Sequence, residues 1–199
     1  DIFTLAGEFV RSSDFMEQAR FITEAGIVPL PQIESRPHKT VEKKPAFEEV
    51  EIRPLNHRAL LSYLEERGIA LAIAKQHCKE IHFWLYGKRY FAIGYGNRCG
   101  GFELRNRFFK GCIPPKDFSS FRQGSSRCHL YEGFMDWLSA LTLGIGNAED
   151  SLVLNSVANV DKAIPALENY QEIVCHLDHD DAGRRAVEVL WKHFGERMT

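Results

Sequence analysis

Acidic side chains follow a short apolar run near the end of the sequence. Residues 171–185 read QEIVCHLDHDDAGRR, where the apolar run 173–177 predicts a buried strand that ends at Asp178 and Asp180. Strand side chains alternate between faces, so both carboxylates point the same way, about 7 Å apart, if the strand continues through them. Two like charges this close favour a bound cation, and their oxygens suit Mg²⁺ or Mn²⁺. Alternatively, the acids only cap the next helix, whose N-terminus favours negative charge.

Three strand–helix units predict the sheet that positions these acids. The strands are predicted at 128–131, 151–154 and 173–177, and the helices at 134–143, 160–170 and 182–194. This alternation is typical of a parallel sheet with right-handed crossovers. Polar residues follow every strand, at the sheet edge where such folds bind ligands. They are Glu132 and Gly133, then Asn155 and Ser156, then Asp178 and Asp180.

A fourth carboxylate is predicted at the same edge. Asp136 lies four residues after Glu132, so it faces the same side, one turn into the first helix of this region. Up to four carboxylates therefore surround one crevice: Glu132, Asp136, Asp178 and Asp180. Helix capping does not explain a Glu-Gly in one loop together with an Asp-x-Asp in another. We therefore interpret the set as a metal site.

The preceding region predicts a mixed subdomain. Helices are predicted at 57–67, capped by Asn56, and at 71–78, followed by a β-hairpin around Gly87-Lys88. A segment of mixed basic and aromatic residues follows; it contains Arg98, Arg105, Arg107, Lys110, Phe102, Phe108 and Phe109. Such a segment can hold a phosphate backbone and stack on bases. Equally, its aromatics are core residues of an irregular β-segment and its charges are simply solvated.

Composition limits the class of protein. The 199 residues are 44% hydrophobic and 12% aromatic, enough for one or two globular domains and too apolar for a disordered chain. A net charge of -2 argues against purely electrostatic nucleic-acid binding. Five scattered cysteines support neither a disulfide framework nor a zinc knuckle. Without a long apolar run or a signal peptide, the sequence predicts a soluble cytoplasmic protein with no membrane partner.

The predicted fold class is α/β, in four parts. Residues 1–28 are a helical segment, with one helix at 15–25, and residues 29–51 are a linker rich in Pro, Lys, Glu and Arg. Residues 52–125 form an α+β subdomain, basic and aromatic in character. Residues 126–199 form a parallel-sheet α/β domain.

Two motifs resemble a known domain. YEGFMDWLSAL and, about 40 residues later, LDHDDAGRRA resemble the Toprim domain, with its Glu-Gly, an Asp one turn on, and its Asp-x-Asp before Ala-Gly. YLEERGI, YFAIGYGN, GGFELRNRFFKG and PKDF are similar to the N-terminal half of the catalytic core of DnaG-type bacterial primases. Primases of mobile elements are the most similar subgroup, and NSVANVDKAI fits their second Toprim loop. The resemblance covers about residues 52–194.

The resemblance implies template-directed synthesis of short RNA primers by metal-dependent nucleotidyl transfer. Glu132, Asp178 and Asp180 would be catalytic and, with Asp136, would hold Mg²⁺ or Mn²⁺. Arg98, Arg105, Asn106 and Lys110 would line the groove for template and nucleotide. The implied partners are a single-stranded DNA template, ribonucleoside triphosphates and a replicative helicase.

Two other functions use parts of the same pattern. One is DNA cleavage by a Toprim nuclease or topoisomerase, and the other is a non-catalytic module that binds single-stranded DNA or a helicase. The primases usually carry an N-terminal zinc-binding module and a further acidic group after the second motif, and this sequence contains neither. We therefore expect a C-terminally truncated excerpt of a longer protein, not fully competent alone.

Overall fold

The computed structural model describes residue 6, residues 8–12, residues 14–24 and residues 47–199. The chain divides into two compact units, Asp1–Lys44 and Pro45–Thr199. No helix within the described ranges is long and apolar enough to cross a membrane. The linker was predicted at residues 29–51, and its residues 29–46 lie outside the described residues.

The first unit contains helix α1, Phe15–Glu24. Asp14 caps its N-terminus, because its Oδ1 accepts hydrogen bonds from the backbone N–H groups of Met16 (2.8 Å) and Glu17 (3.1 Å). Residues 8–10 are also helical. The ring of Phe9 stacks on that of Phe21 with centroids 6.0 Å apart, which joins the two helical pieces.

The second unit opens with five antiparallel strands in chain order and two helices. They are β1 (Glu48–Pro54), α2 (Arg58–Glu66), α3 (Leu71–His77), β2 (Lys79–Leu85), β3 (Lys88–Gly96), β4 (Phe102–Arg105) and β5 (Lys110–Ile113). β1 begins inside the sequence predicted as linker. Its side chains are all exposed, so it lacks the alternating burial that reveals a strand. The cap of α2 is His57 rather than Asn56, since the His57 ring accepts the Ala59 N–H.

The predicted hairpin is confirmed as β2 and β3. Leu85 pairs with Lys88, so the loop consists of Tyr86 and Gly87, one residue earlier than predicted. Both loop residues have positive φ, 50° and 71°, as the mirror-image turns of two-residue hairpins require. Glycine adopts this conformation without strain, and Tyr86 is carried to the tip with 90% of its surface exposed.

The second sheet carries the predicted strand–helix alternation. Its elements are β6 (Ser119–Phe121), β7 (Arg127–Tyr131), α4 (Phe134–Thr142), β8 (Asp150–Val153), α5 (Val160–Leu167), β9 (Glu172–His176) and α6 (Asp181–Phe194). The strand order is β6-β8-β7-β9, with β7 parallel to both β8 and β9. β6 was not predicted, and because it runs antiparallel to β8 the sheet is mixed rather than purely parallel. The α/β class is confirmed.

One hydrophobic core joins the two sheets. It contains Leu60 and Leu64 from α2, Tyr95 from β3, and Phe134 and Trp137 from α4. The Tyr95 ring lies 5.3 Å from the rings of both α4 aromatics. A second core fills the opposite side of the β7–β9 sheet beneath α5 and α6. The shared core fixes the first sheet against the carboxyl ends of the parallel strands.

Candidate active-site cleft

A cleft of about 480 Å³ separates the hairpin of β4 and β5 from the carboxyl edge of the second sheet. Its two walls carry opposite charge. Three carboxylates lie on the side of the parallel strands, and they belong to Glu132, Asp136 and Asp178. A fourth, Glu103, lies on β4 among the cations, and burial raises its pKa. Cations lie mainly on the facing side, and they belong to Arg67, Arg105, Lys110 and Lys116.

Two loops bring the carboxylates together. Glu132 follows β7, Gly133 caps α4, and Asp136 lies in the first turn of that helix. Asp178 follows β9, the neighbouring parallel strand. Glu132 Oε2 accepts a hydrogen bond from the Asp178 backbone N–H at 3.3 Å. The Glu-Gly loop and the Asp-x-Asp loop therefore meet at the rim that the strand order predicts.

Asp178 and Asp180 have different positions. β9 ends at His176, so the strand does not continue through the two acids and the condition for placing both carboxylates on one face is not met. Asp180 caps α6, since its Oδ1 accepts the Gly183 N–H at 2.8 Å. It does not line the cleft. Asp180 is therefore a helix cap, as the alternative interpretation of the sequence proposed. A contribution of its charge to metal binding stays a prediction.

Gly183 lets α6 approach the Asp178 loop closely. A Cβ built at Gly183 would overlap the carbonyl oxygen of Asp178, and Gly183 is itself buried. Only glycine has room for this contact. The Ala-Gly that follows the three acids thus has a packing role: it seats the helix against the loop that carries Asp178.

The electrostatics of the acidic wall oppose ionisation. Burial, together with the charges of Asp178 and Asp180, raises the pKa of Glu132 against the opposing effects of the Asp178 N–H and Lys110. Desolvation and then the charge of Asp178 raise the pKa of Asp136, while Arg67 opposes them. Within residues 47–199, no Lys, Arg or His nitrogen lies within 4.0 Å of the cleft carboxylates. The negative charge is left without a contact ion pair.

The basic wall is built on the β4–β5 hairpin. Arg105 and Lys110 are directly paired across it, and the Arg105 Nε donates to the Tyr63 hydroxyl at 3.3 Å. Sequence reasoning missed two further cations, Arg67 and Lys116. Arg67 is the C-terminal cap of α2, where a basic residue has an ordinary structural explanation. Lys116 lies in the PKDF stretch, which was a usable signal.

Two predicted binding residues lie elsewhere. Arg98 donates to Asp117 at 2.7 Å and lies 3.9 Å above the Phe118 ring, beside a separate pocket of about 240 Å³. Asn106 closes the β4–β5 turn: its Nδ2 donates to the Phe91 carbonyl and its Oδ1 accepts the Phe108 N–H, both at 2.8 Å. Neither residue lines the cleft.

The acidic wall suits a hard divalent cation held partly through water. Within the described ranges, no three Asp, Glu, His or Cys side chains converge closely enough to form a complete ligand cage. Mg²⁺ needs no such cage, because it is commonly held by one or two carboxylates, waters and substrate phosphates. The linked Glu132 and Asp178, with Asp136 one helical turn away, supply that donor set. The raised pKa values of Glu132 and Asp136 show that negative charge is disfavoured there, and a bound cation would relieve it.

Comparison with protein families agrees with this arrangement. Residues 129–198 match the family described as Toprim-like. The C-terminal part of the chain is therefore similar to Toprim-like domains. Residues 49–114 match a domain of unknown function (DUF8464). No curated protein sequence matches the chain.

Solved structures share the fold beyond the Toprim-like domain. The primase fragment of the bacteriophage T7 primase-helicase protein superimposes with a TM-score of 0.50 and 18% identity, over 79% of this chain and 72% of that one. The Aquifex aeolicus primase, with its zinc binding and RNA polymerase domains, gives a TM-score of 0.51 and 14% identity, over 98% of this chain and 61% of that one. The chain therefore has the fold of a primase core with a Toprim-like domain, as the motifs predicted.

Proposed function

We propose that this chain is the catalytic core of a DNA primase, which makes short RNA primers on single-stranded DNA by metal-dependent nucleotidyl transfer. The observation that carries the proposal is the cleft with walls of opposite net charge: three carboxylates without contact ion pairs on one side, and four cations mainly on the other, where Glu103 is the one acid among the described residues. A polyphosphate nucleotide and a template strand are the ligands that need both walls. The shared fold supports the same function.

The acidic wall would hold Mg²⁺ or Mn²⁺. We assign direct contact to Glu132 and Asp178, whose loops are hydrogen-bonded to one another, and contact through water to Asp136 and Asp180. When bound, the metal would lower the pKa of the attacking 3′-hydroxyl and neutralise charge on the departing pyrophosphate. The protein's own task is to keep these carboxylates ionised and oriented at the rim.

The basic wall would bind phosphates. Arg105 and Lys110 are directly paired on one hairpin and both line the cleft, so together they can bind the triphosphate or the template backbone. Arg67 and Lys116 add positive charge to the lining of the cleft. The separate positions of Arg98 and Asn106 leave their assignment to nucleotide binding as a prediction. The replicative helicase partner also stays a prediction.

A primer-synthesis assay tests the proposal. The full chain is incubated with single-stranded DNA, ribonucleotides and Mn²⁺, and short RNA is resolved on a gel. Glu132→Gln and Asp178→Asn each remove one carboxylate charge with little change of shape, and we expect each to lower the rate by about 100-fold or more.

Asp181→Asn is the matched control. Asp181 is an exposed acid three residues from Asp178, and its carboxylate pairs with Arg184. We expect its activity to equal that of the wild type. Mn²⁺ titration followed by electron paramagnetic resonance gives a second readout, independent of catalysis. RNA synthesis that survives in the Glu132→Gln, Asp178→Asn double variant would remove the proposed role of the acids.

A further inference from the structure

The basic and aromatic segment contains three phenylalanines with different environments. Phe102 and Phe109 pack against the core of the first sheet, and the Phe109 ring lies 5.7 Å from that of Phe83. Phe108 is 91% exposed at the tip of the β4–β5 hairpin. Of the three, Phe108 alone presents its ring to an incoming ligand.

The turn that carries Phe108 is fixed by hydrogen bonds. Asn106 accepts the Phe108 N–H through Oδ1 and donates through Nδ2 to the Phe91 carbonyl of the neighbouring strand, both at 2.8 Å. The Asn106 N–H donates to the Phe109 carbonyl at 3.0 Å, which closes the turn. The aromatic ring is thus held outward by a defined backbone. An ordered platform of this kind loses little freedom when a ligand binds.

The turn that carries Phe108 adjoins the cleft, although Phe108 itself does not line it. Arg105 and Lys110, the paired residues that flank the turn, line the basic wall. Arg107 forms an ion pair with Glu66, the last residue of α2. Arg67, which follows Glu66 in the chain, lines the cleft. The tip is therefore tied to the rim by its own strands and by the end of α2.

We propose that Phe108 is a stacking platform for a base of single-stranded DNA beside this cleft. The inference rests on the proposed function and names one point of contact for its template. A strand whose phosphates meet Arg105 and Lys110 passes over the tip, and an aromatic ring accepts any base because every base has a π-face. The contact therefore adds affinity without sequence preference.

Binding of a fluorescein-labelled oligothymidylate to the full chain, followed by fluorescence anisotropy without ribonucleotides, tests the inference. We expect Phe108→Ala to weaken binding by about 5- to 150-fold, the range for one stacked base. Phe108→Trp should retain or improve the affinity. Because Phe108 is exposed, neither change should alter the melting temperature.

Tyr86→Ala is the matched control. Tyr86 is equally exposed, at 90%, on the tip of the β2–β3 hairpin. No residue of that hairpin lines the cleft, whereas Arg105 and Lys110 beside the Phe108 turn do. We expect its affinity to equal that of the wild type. Salt titration separates stacking from charge: Lys110→Ala should reduce the slope of log K against log salt by about 0.7, the value for one phosphate of a single strand, whereas Phe108→Ala should leave the slope unchanged.

The possible outcomes separate this inference from the function on which it rests. Equal affinity of the wild type and Phe108→Ala overturns the platform and leaves the primase proposal intact. Equal losses in Phe108→Ala and Tyr86→Ala also overturn it, since any exposed aromatic would then serve. Loss specific to Phe108→Ala in a chain that makes no primer supports the platform and counts against the primase function. A wild-type chain that binds no single-stranded DNA overturns both.

Discussion

Asp178 and Asp180 are two residues apart, yet their side chains have different surroundings. The side chain of Asp180 accepts a hydrogen bond from the third residue of α6, which gives it a structural role, whereas Asp178 lines the cleft. The sequence pattern alone cannot separate them, because an Asp-x-Asp before a helix satisfies both the capping and the metal hypotheses. Their separation follows from where β9 ends.

Substitution of Asp180 separates the two roles. Asp180→Ala removes the cap and should cost about 1 kcal/mol of stability, with lower Mn²⁺ affinity. Asp180→Asn keeps a capping oxygen, so we expect the wild-type melting temperature with weakened Mn²⁺ binding. Asp178→Asn should weaken Mn²⁺ binding more and leave the melting temperature unchanged. Thermal melts with Mn²⁺ titration check all three variants. A loss of stability in Asp180→Asn as large as that in Asp180→Ala would contradict the capping role.

The ionised carboxylate of Glu132, which the proposed metal site requires, should lower the stability of the fold. Its pKa is raised in the fold, so the ionised form is disfavoured there, and the stability of the wild type should rise as pH falls through that raised pKa. Glu132→Gln removes the charge and should raise the melting temperature at pH 7 by about 2 °C without divalent metal.

Metal should reverse that order. Mn²⁺ should raise the melting temperature of the wild type and have a smaller effect on Glu132→Gln, because ligand binding stabilises only the form that binds. Melting curves at pH 5 and pH 7, with Mn²⁺ and with chelator, provide the measurement. A lower melting temperature for the variant in chelator at pH 7 would contradict the assignment of an unfavourable charge.

At the scale of elements, the contact between α6 and the Asp178 loop positions the acidic wall. Gly183→Ala should force that loop away from the helix, since the new Cβ overlaps the Asp178 carbonyl oxygen. We expect a loss of about 1–3 kcal/mol of stability, typical of overpacking, together with weaker Mn²⁺ binding. Arg185→Ala, on the exposed surface of the same helix, is the control and should leave both unchanged. Urea unfolding and Mn²⁺ titration measure the two effects.

The elements that sequence reasoning found are those with a periodic apolar signal. β7, β8, β9 and their helices were predicted to within about three residues, and the β2–β3 hairpin to within one. β1 was missed because it is a charged strand with no buried face, as edge strands often are. β6 was missed because three residues are too short for a pattern, although β6 pairs with β8 along its length.

Part of the candidate site was also predictable. Glu132, Asp136, Asp178, Arg105 and Lys110 line one cleft, because strand order fixes where loops meet. Arg67 and Lys116 were missed since their contribution depends on how the first sheet packs against the second. That packing is a tertiary property, set by the shared core. The PKDF stretch was a local signal for Lys116, whereas Arg67 at the end of a helix has none.

At the scale of the whole second unit, the shared core predicts that both sheets unfold together. Trp137 is 1% exposed between them, and Trp137→Ala should cost about 3–5 kcal/mol and lower a single transition rather than split it. Trp137→Phe should cost less, because the buried Trp137 Nε1 has no hydrogen-bond partner to lose. Circular dichroism and calorimetry of both variants test this, and two separate transitions in Trp137→Ala would contradict the shared core.

The ring contacts between Tyr95 and α4 also bear on turnover. Because the floor between the two charged walls is one packed interior, we expect the width of the cleft to stay the same when ligands bind. Substrates would then come and go by diffusion, with no clamping step to limit the rate. Added viscogen should therefore slow the reaction only when nucleotide is scarce and encounters limit the rate.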